Sequence, residues 1–446
     1  MKHTFLVILA AFGFANSAVA QDKDTMRFTL AEAKAYALSH SKDLTLQGYE
    51  IEKADLKVKE SLSYLLPQVN GDLSYTRYGK LNATILPEGS FGPGTPAQVI
   101  QFGLPNNVNV GINASQTIFN GVFFVGLKAA EIYTDMIRQE KEVKSDDILY
   151  NVTKSYYNAL IAGSTQKIIA QNIKNLESIL YQTQQLYKNG LVEEIDVNRL
   201  ELSLSNLKTQ VSTLEKQTDL TELVLKFQMG FPLDQPISLT ETLEGFLDES
   251  PILFPETADF NNREEMKLMD LRAMVNQANV KRLKYGYLPS LTAFSSLASS
   301  AQRQKFNFLS FGDDKLWFNV RYFGVQLNVP IWDSFGRKAQ INSAKVDIKR
   351  IQTGKELMQD GYVVEYNKAR IDYMNAQEEL ANAQKNIALA EKIYKVSQLK
   401  YKEGIGSSIE LTTAEQQLYT TQANLLNAIY KVVVAKADIN KALGTN

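Results

Sequence analysis

Apolar and polar positions along this 446-residue chain follow two rhythms that alternate twice. From Thr29 to about Ser63 apolar residues recur at helical spacing, opened by Thr29-x-x-Glu32, a capping-box pattern. Leu65-Leu66-Pro67 ends that segment and the period drops to two. Val69, Leu73 and Tyr75 fall on one side; Asn70, Asp72, Ser74 and Thr76 fall on the other. The stretch from Leu86 to Pro105 is rich in proline and glycine and reads as loop. Alternation then returns, with Val108, Val110, Ile112 and Ala114 against Asn107, Asn109, Asn113 and Ser115. The pattern predicts two strands of about ten residues, each with one apolar and one polar face.

After Ile118-Phe119-Asn120-Gly121 the period becomes helical and stays so to Lys188. Ile169, Ile173, Leu176, Leu180 and Tyr187 occupy the a and d positions of a coiled-coil seam. A helix of that extent is a rod of roughly 100 Å, too long for a small globular domain. The return helix carries Leu200, Leu204, Leu207, Val211 and Leu214 and stops at Gly230-Phe231-Pro232.

The second half follows the same plan. A helix from about Asn262 reaches Leu288-Pro289, and strands follow around Leu291–Leu297 and Trp317–Val329. Alternation slips by one residue near Tyr322-Phe323, which predicts either a bulge or a shifted strand boundary there. Two more helices span about Arg337–Lys402 and Ser408–Leu443. Tyr187-Lys188-Asn189-Gly190 and Tyr401-Lys402-Glu403-Gly404 stand 214 positions apart, and the offset continues through Ile195/Ile409, Glu201/Glu415, Leu204/Leu418 and Gly230/Gly444. Self-similarity of this kind sets an architecture. The expected division is a leader at 1–20, one helix–strand–strand–helix–helix repeat at 21–235, a connecting segment at 236–261 and a second repeat at 262–446.

Composition narrows the function classes. Lys2, the apolar run Phe5–Ala11 and Ala18-Val19-Ala20 read as a secretory signal; a transmembrane anchor is the alternative, disfavoured because the apolar run is short for a span. The chain has no cysteine, so thiolate metal sites and disulfides are excluded, and no cofactor is expected. His3 and His40 are the only histidines, and His40 reads as a surface or packing residue. A histidine-based catalytic triad or a multi-histidine metal centre has nothing to build from, so no enzymatic activity is expected. A net charge of −1 without a basic block argues against a nucleic-acid partner.

A hairpin of two strands is not stable alone, and four strands per chain cannot close a barrel, whose smallest form has about eight. Unpaired strand edges are not tolerated in lipid, so several chains must complete one barrel. Trp317, Phe318, Tyr322, Phe323 and Trp332 near the strand ends suit aromatic girdles; a soluble β-sandwich edge is the alternative. The expected fold is an α+β membrane protein: a transmembrane β-barrel continued by a long α-helical coiled-coil barrel.

The order of motifs resembles the TolC-like outer-membrane factor family over essentially the whole mature chain. The likeness rests on Leu66-Pro67 and Leu288-Pro289 entering the strands, Val329-Pro330-Ile331-Trp332-Asp333 leaving them, the two Tyr-Lys-x-Gly turns and the ending Ala442-Leu443-Gly444-Thr445. The resemblance implies a homotrimer with a twelve-stranded barrel, four strands per chain, in outer-membrane lipid and a helical barrel in the periplasm. It implies an exit duct of an efflux pump or type I secretion system. The partners would be a periplasmic adaptor and an inner-membrane transporter, of resistance-nodulation or ATP-driven type. Asp196 and Tyr401 stand where the family has a linked acid and tyrosine at the closed tip, and Glu410 stands at the first of two acidic rings. Gly406 stands where an arginine often occurs, and Thr413 where the second acid would be. Gly190-Leu191 and Gly404-Ile405 match the turns offered to adaptor hairpins. On chemistry alone, Asp196 and Glu410 also suit the positive end of a helix, Ser407-x-x-Glu410 is a capping-box pattern, and both glycines suit helix ends. A periplasmic coiled-coil adaptor or structural rod is the alternative function.

Overall fold

The computed structural model describes residues 25–243, 245, 254, 258–310, 312 and 316–445. The expected signal at 1–20 lies outside them. The described residues divide into two compact units, one drawn from within 1–42, 146–256 and 366–446 and the other from within 43–145 and 257–365. No helix among the described residues is long and apolar enough to cross a membrane.

The second unit holds the sheet. Strands β2 (Gln68–Arg77), β5 (Asn106–Asn120), β7 (Ser290–Arg303) and β8 (Phe318–Asn328) form one antiparallel sheet in the order β2-β5-β7-β8. Register places like with like. Asn70 faces Asn113 and Thr76 faces Asn107, while Leu73 faces Val110 and Tyr75 faces Val108. Asn113 then lies opposite Ser296 on β7, and Ser296 opposite Tyr322 on β8. Gln326 and Asn328 share that polar face, while Phe323, Val325 and Leu327 share the apolar one.

Two expectations for this region need correction. The segment read as loop contains β4 (Gln98–Gln101), paired with β3 (Ala83–Leu86) in a two-stranded hairpin. Pairing of β7 with β8 runs unbroken through Tyr322 and Phe323; the irregularity lies instead between Thr117 and Phe119 on β5. The slip in the sequence pattern is a change of polarity, not of register. Phe294 and Tyr322 form an edge-to-face pair on the polar face, with ring centroids 6.2 Å apart, and Phe294 lies over Gly324 directly opposite.

Helices α2 (Lys42–Ser63) and α5 (Glu264–Tyr285) lead into the sheet, and α3 (Gly121–Lys188) and α6 (Gly336–Lys402) leave it. Arg263, the residue before α5, is buried with its guanidinium 3.8 Å from the ring centroid of Tyr362 on α6. It pairs with Glu265 at 2.9 Å and with Glu365 at 3.4 Å, so the buried cation is compensated on both sides.

The first unit is helical. Helix α1 (Leu30–His40) begins with the expected capping box: Thr29 Oγ1 accepts from the Glu32 amide, and Glu32 accepts from the Thr29 amide at 2.8 Å. The helix read as continuous to Ser63 breaks at Ser41, which is extended at φ −59°, ψ 126°. Strand β1 (Met26–Phe28) pairs in parallel with β6 (Ile237–Leu239), within the segment read as a connection. Phe28 meets Tyr36 and Phe231 edge-on, and its carbonyl accepts from the buried Tyr156 hydroxyl at 3.0 Å. His40 stacks on Tyr36 at 3.9 Å, a packing role.

Helices α4 (Glu194–Met229) and α7 (Ser408–Leu443) each have 36 residues. The seam positions Ile169, Ile173, Leu176, Leu180, Leu200, Leu204, Leu207, Val211 and Leu214 all join one cluster, with Tyr401 and Leu411 added from α6 and α7. Tyr187 does not join it and is 43% exposed.

Candidate functional site

Two turns join the long helices to the 36-residue ones, and their backbone bonds recur at the 214-residue offset. The Gly190 amide donates to the Tyr187 carbonyl at 2.9 Å and the Leu191 amide to Leu186 at 2.9 Å. At the other turn the Gly404 amide donates to Tyr401 at 3.1 Å and the Ile405 amide to Lys400 at 3.0 Å. Gly190 and Gly404 are left-handed, with φ of 70° and 73°, as this helix ending requires. Each turn presents an apolar residue outward: Leu191 is 70% exposed and Ile405 is 78% exposed.

The expected gate residues lie close together in sequence-distant pairs, but with partners other than each other. The family resemblance implied a bond between Tyr401 and Asp196. Tyr401 instead meets Thr183 on α3, hydroxyl to hydroxyl, at 3.1 Å. The Thr183 hydroxyl donates to the Ile179 carbonyl, so the Tyr401 hydroxyl is the donor between them. Burial pushes the Tyr401 pKa up, the Thr183 bond lowers it and the nearby Asp196 charge raises it, which keeps the phenol neutral and able to donate. Asp196, in the first turn of α4, meets the first turn of α7. There its Oδ1 accepts from Ser408 Oγ, which in turn accepts from Arg199 Nη1 at 3.2 Å. Arg199 also lies 3.9 Å from Asp196. The two helical hairpins are thus cross-tied twice, α4 to α7 through Asp196–Ser408–Arg199 and α3 to α6 through Thr183–Tyr401.

Glu410 carries a different bond. Ser407 Oγ accepts from the Glu410 amide at 3.2 Å, but the Glu410 carboxylate turns to Lys400 Nζ at 2.9 Å instead of back to Ser407. Only half of the expected capping box forms. Asp196 does reach back to the amide of Glu193, the residue before α4, at 3.3 Å.

Sequence reasoning missed Thr183, Arg199, Lys400, Ser408 and the burial of Glu415. Arg199 was legible as an i, i+3 charge pair with Asp196. Ser408 and Thr183 carry no such signal, since both bonds span more than two hundred residues. Among the described residues no group of three or more histidine, cysteine or acidic side chains is arranged to hold a metal ion.

A model of the outer membrane efflux protein family matches residues 35–230 and 260–445. The chain is 21% identical over 353 residues to the probable efflux pump outer membrane protein TtgC of Pseudomonas putida, covering 76% of this chain and 69% of that one. It is 22% identical over 418 residues to the cation efflux system protein CusC of Escherichia coli, covering 92% and 84% respectively. Among solved structures, a CusC structure superposes with a TM-score of 0.72 at 16% identity, covering 94% of this chain and 92% of that one. The Campylobacter jejuni CmeC outer membrane channel gives 0.67 at 17% identity, covering 93% and 85%. A likeness at this identity is one of fold, and the family match adds the class: the chain belongs to the outer membrane efflux protein family and is a channel protein of the outer membrane that serves efflux.

Proposed function

We propose that three copies of this chain form one duct, each giving four strands to a twelve-stranded barrel and four helical columns to a periplasmic tube. The observation that carries this reading is the pair of open edges on the main sheet, β2 and β8. A four-stranded sheet with one apolar face cannot sit in lipid with those edges unpaired, and pairing β8 of one copy with β2 of the next satisfies both. The shared polar face of Asn107, Asn109, Asn113, Gln326 and Asn328 then lines water. The two repeats at 21–235 and 262–446 account for alternating helical hairpins around such a tube.

In this reading the tip closes through Asp196 and Tyr401, and Glu410 narrows the mouth. An adaptor engages the turns at Gly190, Leu191, Gly404 and Ile405, where the Leu191 and Ile405 side chains are exposed, and separates the packed hairpins. Energy comes from an inner-membrane transporter, and the duct itself is passive. The exported protein should migrate as a trimer in unheated detergent gels, collapse to one chain on boiling, and give discrete conductance in planar bilayers. Single-chain migration without conductance would dispose of the reading.

Two substitutions test the tip. Asp196→Ala removes the acceptor between α4 and α7, worth about 1–3 kcal/mol per junction, so single-channel conductance should rise several-fold. An unchanged conductance would place the closure elsewhere. Glu410→Ala should lower cation selectivity, read as a shift in reversal potential across a salt gradient; no shift would remove Glu410 from the mouth.

A further inference from the structure

The two turns are alike in backbone and unlike in what covers them. Tyr401 is 8% exposed because α3 of the same chain lies against it, whereas Tyr187, its counterpart at the 214-residue offset, is 43% exposed. Ser408 and Asp196 are the first residue of α7 and the third of α4, and they are bonded. Their counterparts are Glu194, the first residue of α4, and Glu410, the third of α7. Glu194 is exposed and has no hydrogen bond or ion pair among the described residues. In a ring where hairpins alternate, the face that α3 and α4 cover on α6 and α7 has an equal on α3 and α4. A second copy of the chain is what fits it.

We infer that Lys400 is the cation of the junction between copies, bridging Glu410 of its own chain and Glu194 of the next. Within one chain the junction is closed by a hydroxyl, Ser408, set between an acid and a guanidinium. Between copies the same place brings two carboxylates together, and two carboxylates at that distance repel unless a cation lies between them. Arg199 has Thr413 as its counterpart, so the offset supplies no cation there. Lys400 supplies it from α6. Its Nζ is already 2.9 Å from Glu410, and the turn passes close behind it: a Cβ on Gly406 would stand 2.9 Å from Lys400 Cβ. A side chain at 406 would press on the start of the Lys400 side chain and on the Tyr401 amide, 3.0 Å away, so the turn would have to shift. The chain thus carries its tip cation six residues earlier than an arginine at 406 would.

This rests on the trimeric reading, and the absence of cysteine allows a test that separates the two. The full chain carrying Glu194→Cys with Glu410→Cys is oxidised in isolated outer membranes and run unreduced after boiling. Asp196→Cys with Ser408→Cys is the internal comparison. The first pair should give covalent dimers and trimers that reductant dissolves; the second should give single chains only. If the first pair stays at single-chain mass while an amine crosslinker still captures trimers, the junction is misplaced and the trimer stands. If the amine crosslinker captures no trimer either, the trimeric reading itself falls, and the junction with it. For the cation, Lys400→Glu should raise single-channel conductance several-fold, and adding Glu194→Lys should restore it. Failure of that exchange to restore closure would overturn the bridging role of Lys400.

Discussion

Gly230→Ala is expected to remove most of the assembled protein from the outer membrane. Gly230 ends α4 in the left-handed region, φ 72° and ψ 21°, with the Phe231 amide donating to the Lys226 carbonyl at 2.8 Å. That conformation alone costs an alanine about 1 kcal/mol. The larger cost is steric: a Cβ at this position would stand 2.4 Å from the His40 carbonyl oxygen and 2.9 Å from its carbon. Both are backbone atoms at the break between α1 and α2, so neither can rotate away. The two elements must part, and with them Phe231, which packs on Phe28 and Tyr36. The combined cost is about 2–4 kcal/mol, within the range for strain at a special backbone position. Gly190→Ala supplies the comparison. It has the same sign of φ, at 70°, but nothing stands within 4 Å of its Cβ, so only the conformational part applies. The heat-modifiable species in outer-membrane fractions should fall several-fold for Gly230→Ala and little for Gly190→Ala. Equal yields from the two variants would mean that the α4 end does not hold α1 in place.

That contact also shows where the sequence was legible and where it was not. Helix ends are signalled locally: Gly190, Gly230, Gly404 and Gly444 all take the left-handed conformation that a glycine after a helical run predicts. The seam and the two faces of the strands are periodic over many residues, so they were readable, and Asn109 and Gln326 indeed share a face. The break at Ser41 was not, because the apolar spacing of α1 and α2 runs through it and the backbone it lies against, at Gly230, is far along the chain. Three-residue strands such as β1 and β6 have no period to detect, and their pairing joins positions about 210 residues apart. At the two turns the sequence singled out Asp196 and Tyr401 but not Ser408 and Thr183, which they bond. A serine or threonine hydroxyl gives no sequence signal of which distant helix it will bond. Tyr187 shows the same limit from the other side, since the seam pattern places it inward and the cluster omits it.

Glu415→Gln should stabilise the helical part of the protein above neutral pH and leave it unchanged in acid. Glu415 is 1% exposed on α7. Its Oε1 accepts from the Tyr419 hydroxyl at 2.5 Å, while Oε2 has no partner among the described residues. Tyr394 on α6 lies near enough to feel its charge, and burial pushes that phenol up to about 12. Burial likewise raises the Glu415 carboxyl, more than the Tyr419 bond lowers it. The sign follows from linkage. A carboxyl whose folded value lies above its unfolded value of about 4.3 holds its proton more tightly when folded, so folding costs nothing extra below that pH. The penalty grows as pH rises through the window between the two values and is complete above the folded one. Glutamine keeps the acceptor for Tyr419 and cannot ionise. The gain at pH 8 should be about 1–3 kcal/mol, the cost of a buried group left unmet, and should vanish near pH 4. Urea unfolding followed by helical circular dichroism at both pH values measures it. A gain of the same size at pH 4 would show that Glu415 is not ionised in either condition and that shape, not charge, separates the two side chains.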